Sequence, residues 1–338
     1  MIKRILGLAL ALVMCLSVFT ACSDEPAEPT VETTETSTVS GDDVVMTVGD
    51  IDITADEFRY FILMTAVNSV KADPSFKGDF DAIDWDAKES EIIEKAKNDL
   101  IKRVLVINLG KQNGITPSEE QWKQIEAAMK QYTEKNGEDM FADTLTVMGV
   151  DTIDGYKKIY NLESTYENIK EDFALNTDKY IADVSALNAY KSDDIVSAQH
   201  VLIMNESEKH AEPKNVIESV LERAKSGEDF VALMNEFNED PGQTAAGYTF
   251  GKGEMVPEFE AAAFALDYGE ISDVVESSYG YHIIKRIAGL GELSGYLADN
   301  AGEVIVNQDV IDGISVKSLV SEMAAANERL DAMQEDKK

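Results

Sequence analysis

Imidazoles are the side chains best suited to acid–base or hydrogen-bond chemistry near neutral pH, and this 338-residue chain has three of them, His200, His210 and His282. His200 stands in Val196–Met204 and His282 in Tyr281–Arg286, both runs of strand character, whereas His210 lies in the polar stretch Asn205–Lys214 and reads as a solvated surface residue. An isolated strand histidine is usually a satisfied core residue. Two of them on separate strands of one small sheet, in a chain so poor in histidine, point instead to a paired site. Zinc needs three or four ligands at ordered spacing, and neither histidine has a local ligand partner, so a metal centre is the weaker reading. The chain contains no G-x-x-x-x-G-K, G-x-G-x-x-G, H-E-x-x-H, C-x-x-C or G-x-S-x-G motif. Phosphate cradles, zinc-protease chemistry, dithiol exchange and the nucleophile elbow therefore have no sequence support.

The elements that must position the two histidines follow from periodicity. Val196–Met204 is read as a strand, residues 215–225 and 228–237 as helices, and Asp240–Gly253, with four glycines and one proline, as a loop. Residues 257–266 form a short helix with proline at its first turn, and Gly269-Glu270 leads into strands at 272–276 and 281–286. Residues 195–288 are thus an α+β module. Upstream, Val44–Val48, Gly49-Asp50 and Ile51–Ile53 read as a hairpin. Thr54 and Glu57 make a capping box before a helix, and further helices are expected over about 88–109, from a cap at Thr116 with Pro117 in the first turn, and over 138–148, 152–175 and 179–190. After Gly291 come a strand at 303–306 and a helix over 315–333 with an apolar face of Val316, Leu319, Val320 and Met323.

The N-terminus reads as an address. Lys3 and Arg4 precede the uncharged apolar run Ile5–Phe19, too short for a membrane span of about 20 residues, and Thr20-Ala21-Cys22 follows. This layout resembles a bacterial lipoprotein signal, with Phe19 in place of the usual leucine. The resemblance implies cleavage after residue 21 and acylation of Cys22. Of the two cysteines, Cys15 leaves with the signal and Cys22 is blocked, so neither a disulfide nor thiol chemistry is expected. Residues 22–43 are rich in Ser, Thr, Pro and acids and lack Lys and Arg, and they read as a disordered tether.

Asp and Glu number 64 against 30 Lys and Arg, a net charge of -34 that excludes a phosphate-binding surface and hence nucleic-acid partners. The acid is spread over every segment rather than gathered in one stripe. Apolar residues at 44% suffice for a sizeable core, and the length suits about two domains of ~100–200 residues each.

Several blocks of the module, in order, resemble the parvulin-type peptidyl-prolyl isomerases. They are Ser197–Ile203, Phe237–Gly242, Phe250–Glu260, Ala262–Leu266, Gly269–Ser272 and Tyr279–Ile284. With the lipoprotein signal and the hairpin and helices in front, the whole chain resembles the PrsA-type foldase lipoproteins, whose flanking region is SurA-like. The resemblance implies an α+β fold in which a parvulin-like module, a four-stranded antiparallel sheet with surrounding helices, is inserted in or follows a mostly helical chaperone domain. The expected segments are a signal at 1–21, the tether at 22–43, a chaperone region at 44–194, the isomerase at 195–288 and a C-terminal segment at 289–338 packing on the chaperone region.

The same resemblance assigns His200, Asp240 and His282 to a catalytic hydrogen-bond network and Phe250, Met255 and Phe259 to the proline-binding wall, with Phe264 and Leu266 as core. The loop Gln243–Tyr248 is about two residues shorter than the family's Gly-Gly-Asp-Leu-Gly segment. The loop after Met204 lacks the arginine cluster of phosphate-specific members, so no phosphoserine requirement is expected. No cofactor or metal is implied. The implied partners are unfolded or newly secreted proline-containing polypeptides, with the membrane reached through the lipid anchor. Two other readings stand beside this one: a holdase chaperone with an inactive parvulin module, and a solute-binding lipoprotein. The helical character of residues 54–190 argues against the two α/β lobes that the latter needs.

Overall fold

The computed structural model describes residues 39–71, 76, 79–80, 82–244 and 246–335. The proposed signal, the acylated Cys22 and the tether up to residue 38 lie outside the described residues. No helix among the described residues is long and apolar enough to cross a membrane. The chain divides into two compact units: one formed by residues up to Val104 with Thr116–Ser164 and Gly302 onward, the other by Leu105–Ile115 with Thr165–Ala301.

In the first unit the expected hairpin forms from β1 (Val44–Val48) and β2 (Ile51–Thr54), with Val48 opposite Ile51 and Gly49 at φ 63° in the turn. Its third strand, β7 (Val304–Val306), comes from near the other end of the chain and pairs antiparallel with β1, Met46 opposite Val306. The Glu57 carboxylate accepts from the Thr54 N–H at 2.9 Å, closing the start of α1 (Ala55–Lys71) as its Thr-Ala-Asp-Glu sequence foretells. Helices α2 (Trp85–Gln112), α3 (Glu119–Asn136), α4 (Glu138–Val147) and α5 (Ile153–Leu175) follow in the chain, α2 passing into the second unit at Leu105 and α5 at Thr165. The cap of α3 is Ser118 rather than Thr116: Ser118 Oγ accepts from Gln121 N while Gln121 Oε1 accepts from Ser118 N, a reciprocal pair that closes the first turn.

The last five residues of the segment read as tether are held in place. Asp43 and Gly41 carbonyls accept from the Ala55 and Asp56 amides at 2.8 and 3.0 Å, and Lys158 meets Asp42 at 2.6 Å. The Arg59 guanidinium donates to the Val39 carbonyl. These bonds satisfy N–H groups of the first turn of α1, which have no partner within the helix. The last helix, Val316–Glu335, buries Val316, Leu319, Val320 and Met323 and packs on α4 and α1, with Arg329 on Asp143 at 2.6 Å.

The second unit opens differently from the helix expected over 179–190. A short turn of helix, α6 (Thr177–Tyr180), gives way to a 3-10 helix at Val184–Tyr190, because Asp183 accepts from the Ser185 amide at 2.9 Å and restarts the chain. Next come β3 (Ile195–Met204), α7 (Pro213–Lys225), α8 (Phe230–Phe237), β4 (Tyr248–Gly251), α9 (Pro257–Ala265), β5 (Val275–Glu276) and β6 (Gly280–Ile287). The sheet is antiparallel in the order β4-β3-β6-β5. Strand β5 is shorter than expected because Ser272 pairs with Ile284 outside the regular ladder, its amide donating to the Ile284 carbonyl and its hydroxyl accepting from the Ile284 amide. Leu290–Asp299, within the segment read as C-terminal, is a further helix, α10, of this unit.

Alternation along β3 sorts the two faces of the sheet. Val201 and Ile203, with Ile283 of β6, pack under α7 and α8 beside Ile217, Val220, Phe230 and Leu233. Val196 and Ala198, with Ile284, pack under α9 beside Phe250, Phe259, Ala263 and Leu266. His200 and His282 fall in phase with this second set.

Candidate active site

The β3–β6 register sets His200 opposite Ile284 and Leu202 opposite His282, so the two histidines are diagonal neighbours on one face. Their ring centroids are 5.5 Å apart, and the Phe259 ring on α9 completes the triangle at 5.1 Å from His200 and 5.4 Å from His282. Phe250 packs on Phe259 at 5.8 Å. Met255 is half-buried against the same cluster, and Phe264 and Leu266 join it as core.

Asp240 reaches the site because the loop after α8 is stitched to the end of β3 that β4 leaves uncovered. The β4 ladder stops at Ala198 opposite Tyr248. Beyond it the Leu202 amide donates to Asn238 Oδ1 at 2.8 Å, the Leu202 carbonyl accepts from the Glu239 amide at 2.9 Å, and the Met204 amide donates to Glu239 Oε2 at 2.7 Å. Asn238 and Glu239 act as a pseudo-strand, and the next side chain, Asp240, turns inward. Its Oδ2 lies 3.2 Å from His200 Nε2 and accepts from the Tyr248 hydroxyl at 3.1 Å, while its Oδ1 accepts from the Gly242 amide at 2.8 Å. His282 Nε2 lies 2.7 Å from the Ser277 hydroxyl, which also accepts from the Tyr279 amide.

His200 is 5% exposed and His282 3%. Burial disfavours the charged imidazole and holds both pKa values down to about 4; the neighbouring His282 lowers His200 further, and the Asp240 carboxylate opposes the shift in both. Near neutral pH both rings are therefore uncharged. Burial and the Asp240 carboxylate push the Tyr248 phenol up to about 12, which keeps it a hydrogen-bond donor.

The structure thus brings together five of the residues expected to form the site, His200, Asp240, His282, Phe259 and Phe250, with Met255 at their edge. His210 stands apart, half-buried with its ring 6.1 Å from Phe237. Three neighbours were not anticipated: Tyr248, Gln243 and Ser277. Tyr248 carries a signal in hindsight, since it lies two residues before Phe250 and so shares its face of β4. Ser277 sits in the turn leading to His282 but nothing in its local sequence distinguishes it from Ser278.

Residues 184–288 match the family model of the PPIC-type PPIase domain. The chain carries a prolyl isomerase domain of the parvulin type. Outside the isomerase domain the likeness continues. The foldase protein PrsA of Caldanaerobacter subterraneus subsp. tengcongensis is 27% identical over 291 residues, which is 84% of this chain and 82% of that protein. Foldase protein PrsA 3 of Bacillus cereus is 38% identical over 170 residues, 49% of this chain and 52% of the relative, so that match spans about half of each protein. Among solved structures, the parvulin of Nitrosopumilus maritimus is 34% identical and is covered over 100% of its length by 29% of this chain, with a TM-score of 0.24. The likeness to PrsA-type foldases read from the sequence is borne out.

Proposed function

We propose that this protein is a membrane-anchored extracytoplasmic foldase that speeds cis/trans isomerisation of X-Pro bonds in secreted polypeptides and holds unfolded clients. The observation that carries the proposal is the isomerase-family match over residues 184–288, inside which His200, Asp240 and His282 converge around Phe259. An X-Pro bond favours trans by only ~0.5–1 kcal/mol, yet it turns over in tens to hundreds of seconds because amide resonance sets a barrier of ~18–20 kcal/mol. Water bonded to the carbonyl strengthens that resonance. A prolyl ring seated against Met255, Phe259 and Phe250 would lose that water, and the twisted amide, less polar than the planar one, is favoured in such surroundings. Rotation breaks no covalent bond, so the site needs no nucleophile. Neutral His200 and His282 fit this role, since no proton has to be transferred. With Asp240 they would form a hydrogen-bond network that positions the twisted carbonyl and sets the local field around it.

In this reading the first unit grips unfolded chains, and Cys22, acylated after loss of residues 1–21, fixes the protein to the outer face of the membrane. A protease-coupled assay on a short Ala-Pro peptide tests the enzymatic part: the full chain is expected to raise the rate well above background. Asp240→Ala is expected to lower kcat/KM by about 10- to 100-fold, the kinetic worth of a hydrogen bond to a charged group. A wild-type rate at background would leave a holdase, and an unchanged Asp240→Ala rate would remove that carboxylate from the mechanism. For the anchor, Cys22→Ser is expected to move the protein from the membrane fraction to the soluble one on fractionation of producing cells.

A further inference from the structure

Gln243 occupies the last open stretch of β3. Where the β4 ladder ends, its side-chain amide lies against both backbone groups of His200. Those groups have fixed polarity: the N–H donates and the carbonyl accepts. They therefore orient the amide, with Gln243 Oε1 accepting from the His200 N–H at 2.8 Å and Gln243 Nε2 donating to the His200 carbonyl at 3.1 Å. The remaining amide hydrogen faces the imidazole Nε2 at 2.7 Å. An NH2 group can only donate, so this imidazole nitrogen must present its lone pair, and the single proton of the neutral ring must sit on Nδ1.

We propose that Gln243 is a positioning residue that holds His200 as its Nδ1–H tautomer, leaving the Asp240 carboxylate to take its hydrogen bonds from Tyr248 and Gly242 instead of from the imidazole. The opposite tautomer would set the ring N–H and the Gln243 N–H head to head at 2.7 Å, or force the amide to turn and oppose both backbone groups. The Nδ1–H form has its own cost: His200 Nδ1 is buried without a hydrogen-bond partner, and the Nε2 lone pair faces Asp240 Oδ2 at 3.2 Å. The Tyr248 hydroxyl and the Gly242 amide offset the second part by drawing the carboxylate charge toward themselves, at 3.1 and 2.8 Å. A carboxylate not paired to the imidazole keeps hydrogen-bonding capacity for a substrate. The consequence for catalysis rests on the isomerase reading above; the tautomer does not.

The chain has three histidines, so the full-length protein labelled with 15N-histidine gives three imidazoles to assign in long-range 1H–15N correlation spectra. At pH 7 the His200 ring is expected to show a protonated Nδ1 and a bare Nε2. Gln243→Leu, which removes the donor, and Gln243→Glu, which replaces it with an acceptor, are both expected to move the ring proton to Nε2, where it donates to Asp240 in the leucine variant and to the new carboxylate in the glutamate variant. Each should lower kcat for an Ala-Pro peptide about 2- to 10-fold with KM little changed, the kinetic equivalent of one neutral hydrogen bond. A wild-type His200 protonated on Nε2, or a tautomer unmoved in both variants, overturns the proposal. A moved tautomer with unchanged kcat overturns its catalytic part. Absence of isomerase activity in the wild type refutes the isomerase reading and its catalytic consequence, while the spectra still decide what Gln243 does to His200.

Discussion

Acidification from pH 7 to pH 5 should loosen the isomerase domain through its two buried imidazoles. His200 and His282 are held to about 4 by burial, against an unperturbed value near 6.5. A group whose folded pKa lies below its unfolded one stabilises the fold fully above the unfolded value. It loses that contribution as pH falls from about 6.5 toward 4, because the unfolded chain takes up protons that the folded one refuses. For a shift from 6.5 to about 4, linkage gives a loss of about 1.8 kcal/mol per histidine between pH 7 and pH 5, hence ~3–4 kcal/mol for the pair as an upper bound. Amide hydrogen exchange along β3 and β6, corrected for the intrinsic pH dependence of exchange, reads this domain directly. The other unit supplies a control in the same molecule: it contains Trp85 and Trp122, the chain's two tryptophans, and none of its three histidines. Urea unfolding followed by tryptophan fluorescence should therefore lack the histidine-linked loss. In the variants His200→Asn and His282→Asn each substitution should remove about half of the pH-dependent loss of protection, while the carboxylates, common to all, contribute equally. If wild type and double variant lose the same protection between pH 7 and pH 5, the imidazoles are not held neutral by burial and the reasoning fails.

Two further perturbations test the packing that positions the site and the chain ends. Gly247 sits at φ 71° with an added Cβ only 2.4 Å from the Ala198 carbonyl oxygen, so Gly247→Ala should destabilise the isomerase domain by more than about 1 kcal/mol, seen as faster exchange of the β3 amides. Arg329→Ala leaves the buried Asp143 carboxylate without its cation and should cost about 1–3 kcal/mol in the first unit, read from tryptophan fluorescence in urea.

Much of the second unit was legible because its signals are local. The run Val196–Met204 alternates two apolar sets with His200 in phase with one of them, Pro257 marks the start of α9, and the blocks Phe237–Gly242 and Phe250–Glu260 carry the family pattern that assigns Asp240, Met255 and Phe259. The missed features depend on groups far apart in the chain or on competition between caps. Thr116 and Ser118 are both acceptable helix starts, and only the reciprocal bond from Gln121 decides between them. Gln243 reads as one more polar loop residue until the loop is laid along β3.

Strand and helix periods, turn glycines and the spacing of His200, Asp240 and His282 were determined by the sequence alone, because each is a property of neighbouring residues or of a pattern read along the chain. Which proton His200 carries, that Tyr248 rather than the imidazole donates to Asp240, that both rings are neutral at pH 7, and that β7 completes the N-terminal hairpin were decided only by the tertiary structure. Desolvation and hydrogen-bond direction depend on which groups surround an atom in space, and those groups arrive from separate strands, loops and helices when the chain packs.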